Sequence, residues 1–235
     1  MTSVNVSPDA RASAYRLLPI IAGVFVASLI ITNTIDAKLF TIAGLTLTVG
    51  LIIFPLSYLA GDILTEVYGY AVSRRVIWTG FFCLALMIVV YTIAMYLPPS
   101  PAWQNESAFD TVFARVPRIT IASMIAYFVG EFVNSYVVAK MKVATKGRFM
   151  GVRFIASTVV GQFFDTIVFV GIAFYGIIPN SVLPEVILSA WAVKVGWEVI
   201  ALPLTLVVVR AIKKYEHEDH FDRSTNFSPF TLASK

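Results

Sequence analysis

Apolar residues fall in long runs separated by short polar breaks, and six of these runs are long enough for a helix to cross a bilayer. A hydrocarbon core about 30 Å thick takes roughly 20 apolar residues in a helix, which satisfies its own backbone hydrogen bonds in lipid. The runs are Leu17 to Ile35, Leu47 to Tyr68, Val76 to Leu97, Ile119 to Ala139, Phe154 to Ile178 and Val186 to Val209. Chain breakers mark the connections: Gly69, then Pro98, Pro99 and Pro101, then Gly147 and Gly151, then Pro179 and Pro184. The longest connection, Pro98 to Arg118, contains Trp103 and a weakly amphipathic stretch, Ala108 to Val116, suited to the membrane surface. The pattern predicts an all-α protein: a polytopic membrane bundle of six transmembrane helices over residues 17–212, with a short segment 1–16 before it and a polar tail 213–235 after it. No small-residue cleavage site follows the first run before Asn33 and Asp36, so that run is expected to be a retained helix.

Composition agrees with burial in lipid. Of 235 residues, 58% are hydrophobic and only 14% charged, against roughly a quarter in a soluble domain. Lysine and arginine set the orientation, because short cytoplasmic loops retain them. One side holds Arg11 and Arg16, Arg74 and Arg75, Lys140, Lys142, Lys146, Arg148 and Arg153, and then Arg210, Lys213, Lys214, Arg223 and Lys235; the other holds only Arg115 and Arg118. Lys38 lies at a helix mouth and Lys194 within the membrane. Both termini are therefore expected to be cytoplasmic. The net charge of +4 is spread between apolar runs, so it is no nucleic-acid footprint. The single cysteine, Cys83, lies inside an apolar run and is read as packing. Glu216, His217, Glu218, Asp219 and His220 cluster in the tail, but such a segment is read as solvated rather than as a metal site.

Candidate chemistry comes from the charges inside the runs. Each costs about 2.5–3.5 kcal/mol at a bilayer centre, so it should face the bundle interior or a water-filled path. Asp62 and Glu66 share a face of the second helix, with Ser57 or Tyr58 one turn earlier; Glu131 and Asn134 share a face of the fourth, Gln162 and Asp165 of the fifth, Lys194 and Glu198 of the sixth. Three of these groups follow a glycine, Gly61, Gly130 and Gly161, which permits close helix approach. One lysine cannot neutralise Asp62, Glu131, Asp165 and Glu198 together, which favours a polar site over simple bundle glue. With Tyr127, Phe163, Phe164, Trp191 and Trp197 on neighbouring turns, such a site suits a small planar heterocycle whose N–H groups a carboxylate can accept. Glu66, beside Arg74 and Arg75 in sequence, is read as a coupling or structural residue, as is Glu198.

The run from Gly50 through Phe54-Pro55, Gly61-Asp62, Thr65-Glu66-Val67-Tyr68-Gly69 to Arg74-Arg75 resembles the queuosine precursor transporter family, also described as vitamin uptake transporters. The likeness continues through Arg118-Ile119, Ala122-Ser123, Gly130-Glu131, Asn134-Ser135 and Lys140, then Ser157-Thr158, Gly161-Gln162 and Asp165-Thr166, and Lys194. It implies multi-pass insertion in a bacterial inner membrane and import of 7-cyano-7-deazaguanine or 7-aminomethyl-7-deazaguanine for queuosine salvage into tRNA. Under that reading Asp62, Glu131, Asn134, Gln162 and Asp165 line the substrate site, with Lys194 as counter-charge. Where some members carry Gln and Asp, this chain has Glu131 and Asn134.

Other functions compete. A substrate-binding subunit of an energy-coupling vitamin transporter is also a six-helix module, and Gly23-x-x-x-Ala27 offers it a close helix contact. An intramembrane hydrolase is disfavoured, because the only histidines, His217 and His220, lie in the tail and no nucleophile–base pair appears. A purely structural role is disfavoured by the buried charge. No phosphate-binding loop is present, so transport is expected to be passive, ion-coupled or driven by a separate subunit; no cofactor and no enzymatic activity are expected. The expected partners are the substrate and the bilayer, and the lipid-facing surface is compatible with a homodimer.

Overall fold

The computed structural model describes residues 15–35, 38–42, 45–113, 117–176 and 179–231. Helix α1 (Leu18–Ile35) leads into a hairpin of β1 (Leu39–Ile42) and β2 (Leu45–Thr48), then a 3-10 turn, Val49–Ile52. There follow α2 (Phe54–Tyr68), α3 (Tyr70–Tyr96), α4 (Glu106–Phe113), α5 (Pro117–Ala144), α6 (Met150–Phe174) and α7 (Leu183–Glu216). Among the described residues, five helices are long and apolar enough to cross a membrane: α1, α3, α5, α6 and α7. The protein is thus a multi-pass helical membrane protein.

The second apolar run departs from expectation. Its helix begins at Phe54, with Pro55 in the first turn, and its 15 residues reach about 22 Å, short of the hydrocarbon thickness. The residues before it pair as an antiparallel hairpin, Leu39 opposite Thr48 and Ile42 opposite Leu45. Hydrophobic length cannot separate a short strand from a helical turn, so pattern alone merged Leu47–Ile53 with the helix. The small hairpin is the one departure from an all-α chain among the described residues. Such backbone is tolerated at membrane depth where protein covers it, and α1 packs against both α2 and the 3-10 turn.

Elsewhere the helices lie where the apolar runs place them, but extend into polar sequence. Helix α3 starts at Tyr70 rather than Val76, α5 reaches Ala144, and α7 continues past Val209 to Glu216. Pro184, expected to break the chain, lies in the first turn of α7, where its missing N–H costs nothing. The amphipathic stretch forms α4, whose Phe113 ring packs edge-on against Tyr91 of α3, 4.8 Å between centroids. At Gly23, expected to offer a close helix contact, an added Cβ would meet nothing within 4 Å among the described residues. Of the charges used for orientation, Arg11, Arg115 and Lys235 lie outside the described residues, as do Asp36 and most of segment 1–16.

At one end of the bundle three basic residues converge on one buried acid. Fully buried Glu66 accepts hydrogen bonds from Arg153 Nε at 2.9 Å, Arg153 Nη2 at 2.6 Å and Lys213 Nζ at 2.5 Å, with Lys142 Nζ 3.7 Å away. These partners come from α5, α6 and α7, not from the sequence neighbours Arg74 and Arg75. Lys142 also donates to the Glu66 carbonyl at 2.5 Å and the His220 carbonyl at 2.6 Å.

The segment after α7 completes this end. Expected to be solvated, it instead folds back as a strap over the junction of α2 and α3. The His220 N–H donates to the Val67 carbonyl at 3.1 Å, and Asp222 Oδ2 accepts the Tyr70 N–H at 3.0 Å, satisfying a donor at the α3 N-terminus. Arg74 donates to the carbonyls of Asn226 at 2.7 Å and Ser228 at 2.8 Å, and Trp78 Nε1 to that of Pro229 at 2.9 Å. Partial burial would raise the Asp219 carboxyl, but hydrogen bonds from Lys142 and Lys213 hold it below its ordinary value. Gly69 at the junction has φ +88°, and a side chain there would collide with the His220 imidazole.

Removing one partner from a buried ion cluster strands the others, at a cost of about 3–5 kcal/mol. Glu66→Gln should therefore lower the melting temperature of the detergent-solubilised protein sharply. Glu185→Gln, at an exposed position, should leave it unchanged.

Candidate functional site

Three glycines set the spacing around the polar residues. A Cβ on Gly61 of α2 would run into Glu131 Oε1 of α5. On Gly130 of α5 it would lie 2.7 Å from Asp165 Cβ and 3.3 Å from the Gly161 carbonyl of α6; on Gly161 it would lie 3.0 Å from both Asn134 Cβ and the Gly130 carbonyl. The α5 and α6 backbones therefore touch at the depth of their acids, as the three glycine-led motifs suggest. Replacing Gly130 with alanine should overpack this contact at a cost of about 1–3 kcal/mol, read as a lower melting temperature. Gly171→Ala on the neighbouring α6, where an added Cβ meets nothing within 4 Å among the described residues, is the neutral control.

Above the glycine contacts, on the side away from the Glu66 cluster, lies a cavity of about 580 Å³. Its polar lining includes Glu131, Asp165, Lys194, Thr166 and Ser57, and its aromatic walls are Phe25, Tyr58, Tyr127, Phe169 and Phe174. It reaches the surface between the end of α1 at Asn33 and the start of α7, where exposed Glu185 and Ser189 line it. Lys194 Nζ donates to Asp165 Oδ2 at 2.5 Å. Glu131 is buried and its Oε1 has no hydrogen-bond partner among the described residues. The cavity therefore offers a carboxylate free to accept, an acid–base pair, and flat apolar walls.

The aromatic expectation needs correction. Of the five rings picked from sequence, only Tyr127 lines the cavity. Phe163, Phe164 and Trp197 are exposed on the outer surface of the bundle, and Trp191 packs edge-on to Phe163 with its Nε1 donating to the Val159 carbonyl at 2.9 Å. Phe25, Phe169 and Phe174 were missed. The signal for Phe169 was present, one turn after Asp165 on the same helical face, as Tyr58 lies one turn before Asp62.

The remaining candidates do not line the cavity. Asp62, Asn134, Gln162 and Glu198 are all buried, and Asn134 Nδ2 donates to Asp62 Oδ1 at 3.1 Å. Nearer the strap, the hydroxyls of Thr65, Ser73 and Ser135 lie 3.0 Å from one another. Glu66 is held in the ion cluster at that end. The polar residues thus sort by depth: Glu131, Asp165 and Lys194 at the cavity, Asp62, Asn134, Gln162 and Glu198 in an inner group, and Glu66 in the seal.

The sequence profile of a family described as "putative vitamin uptake transporter" matches residues 48–208. A Bacillus subtilis protein named "probable queuosine precursor transporter" is 29% identical over 174 residues, covering 74% of this chain and 76% of the relative. The "queuosine precursor transporter" of Escherichia coli is 29% identical over 135 residues, 57% of this chain and 58% of its own length. A Haemophilus influenzae protein with the first of these names is 31% identical over 130 residues, 54% of this chain and 52% of the relative. No solved structure matches the chain significantly.

Proposed function

Because the chain belongs to the putative vitamin uptake transporter family, we propose that it is a carrier importing queuosine precursors, 7-cyano-7-deazaguanine or 7-aminomethyl-7-deazaguanine, across a bacterial inner membrane. The names of its relatives support the substrate class. The structural observation that carries the reading is the unpartnered carboxylate oxygen of Glu131 in an aromatic-walled cavity. A deazaguanine presents a ring N–H and an exocyclic amine along one edge, which a carboxylate accepts together. The cavity's 580 Å³ falls within the usual range for small-molecule sites, about 300–1,000 Å³.

In this reading Glu131 grips the guanine edge, Asp165 and its partner Lys194 hold the opposite side, and Tyr58, Tyr127 and Phe169 flank the ring. Asp62, Asn134 and Gln162 lie deeper, in the inner group beneath the cavity. In the same reading the short α2, extended by the 3-10 turn and hairpin, serves as the sixth crossing, and the excess of lysine and arginine supports a cytoplasmic position for both termini. The cavity then faces outward and the Glu66 cluster closes the cytoplasmic side, an outward-open state of an alternating-access carrier.

Purified protein in proteoliposomes should take up a labelled deazaguanine without any second subunit, with guanine and riboflavin as competitors of graded strength. Glu131→Gln and Asp165→Asn should each cut uptake about 10- to 100-fold, as expected for a lost charged hydrogen bond. Uptake that survives both replacements would overturn the site. Uptake that requires an added ATP-driven complex would point to the energy-coupling subunit instead.

A further inference from the structure

The inner group is a buried set of oxygen atoms with too few donors. Asp62 Oδ2, Asn134 Oδ1, Gln162 Oε1, Glu198 Oε1 and Thr158 Oγ1, one turn before Gln162, all lack a hydrogen-bond partner among the described residues, against one unpartnered amide donor in the group, Gln162 Nε2. Their residues are buried to 4% exposure or less. Such groups cost free energy unless something satisfies them. The charge balance points the same way. Three acids, Glu198, Glu131 and Glu66, act electrostatically on Asp62. The cations nearby are engaged elsewhere, Lys194 by Asp165 and Arg153, Lys142 and Lys213 by Glu66. Among the described residues no ion pair reaches Asp62 or Glu198.

Several observations tie these atoms together. Asn134 donates to Asp62, Glu198 acts electrostatically on Asp62, and Gly161, next to Gln162, lies against Asn134. Four helices, α2, α5, α6 and α7, thus each contribute at least one oxygen. A single proton shared by the carboxyl pair leaves the two amide oxygens unmet. A transition metal would call for a cluster of His, Cys and acid ligands that the described residues do not form. Two carboxylates, two amide carbonyls and a hydroxyl are hard oxygen donors, suited to a small alkali cation stripped of most of its water.

We infer that Asp62, Asn134, Gln162 and Glu198, with Thr158, form a sodium site beneath the substrate cavity and separate from it. Its role as the coupling ion rests on the transport reading; its occupancy does not. Bound sodium supplies the positive charge that the inner group lacks and ties α2 to α7 across the base of the cavity, so that ion and substrate are carried on the same moving helices.

The test is thermal unfolding of the purified full chain in detergent, without substrate, titrated with sodium chloride against potassium and choline chloride at constant ionic strength. The expected result is a saturable, sodium-specific rise of about 5 °C or more. It should be lost in Asp62→Asn and in Glu198→Gln and kept in Glu131→Gln, whose side chain lines the cavity. Equal effects of the three salts overturn the site, as does a shift that follows pH alone, which would mean that a proton fills it. The wild-type titration decides this even if a variant fails to fold. In proteoliposomes an imposed sodium gradient should accelerate deazaguanine uptake; sodium binding without such acceleration overturns the coupling role while leaving the site.

Discussion

The buried carboxylate of Glu66 is the point on which the bundle's arrangement depends. A single acid at the end of α2 is shared by a guanidinium from α6 and ammonium groups from α5 and α7. Burying any one of these charges alone would cost several kcal/mol, so the four helices must converge for any of them to be stable there. That convergence fixes the depth at which α2 sits, although α2 is too short to span the membrane by itself. It also closes one end, so the cavity has only the other end to open through.

The five long helices were legible because apolar length in lipid is a strong constraint, and the depth of the acids followed from their position within those runs. The glycine-led motifs were informative for a physical reason: Gly130 and Gly161 remove the two side chains that would otherwise hold α5 and α6 apart. The hairpin was not legible, because Leu45 to Ile53 has the same apolar content as a strand, a turn or a helix. Nor were the partners of Glu66. Arg153 lies 87 positions and Lys213 147 positions away in sequence, and only the packing of α6 and α7 brings them to it.

Reading the aromatic residues from sequence failed instructively. Phe163 and Phe164 lie between Gln162 and Asp165 in sequence, yet adjacent helical residues face different directions, and both rings are exposed outside the cavity. Spacing of four would have chosen Phe169 and Tyr58. The same geometry separates Asp165 from Gln162: three positions apart on one helix, one lines the cavity and the other lies beneath it. A face of a helix is broad enough to serve two compartments.

The strap of residues 217–230 is translated after every helix it touches. Until it docks, the α3 N-terminus keeps an unsatisfied Tyr70 N–H, Arg74 lacks two of its carbonyl acceptors, and the groove beside Gly69 stands open. The helices can therefore be inserted and packed while that end of the bundle is still loose, and it becomes tight only once the ribosome has delivered the strap. Biogenesis of this protein thus has a built-in step after helix insertion: that end of the bundle is completed by a segment made later than every helix it touches.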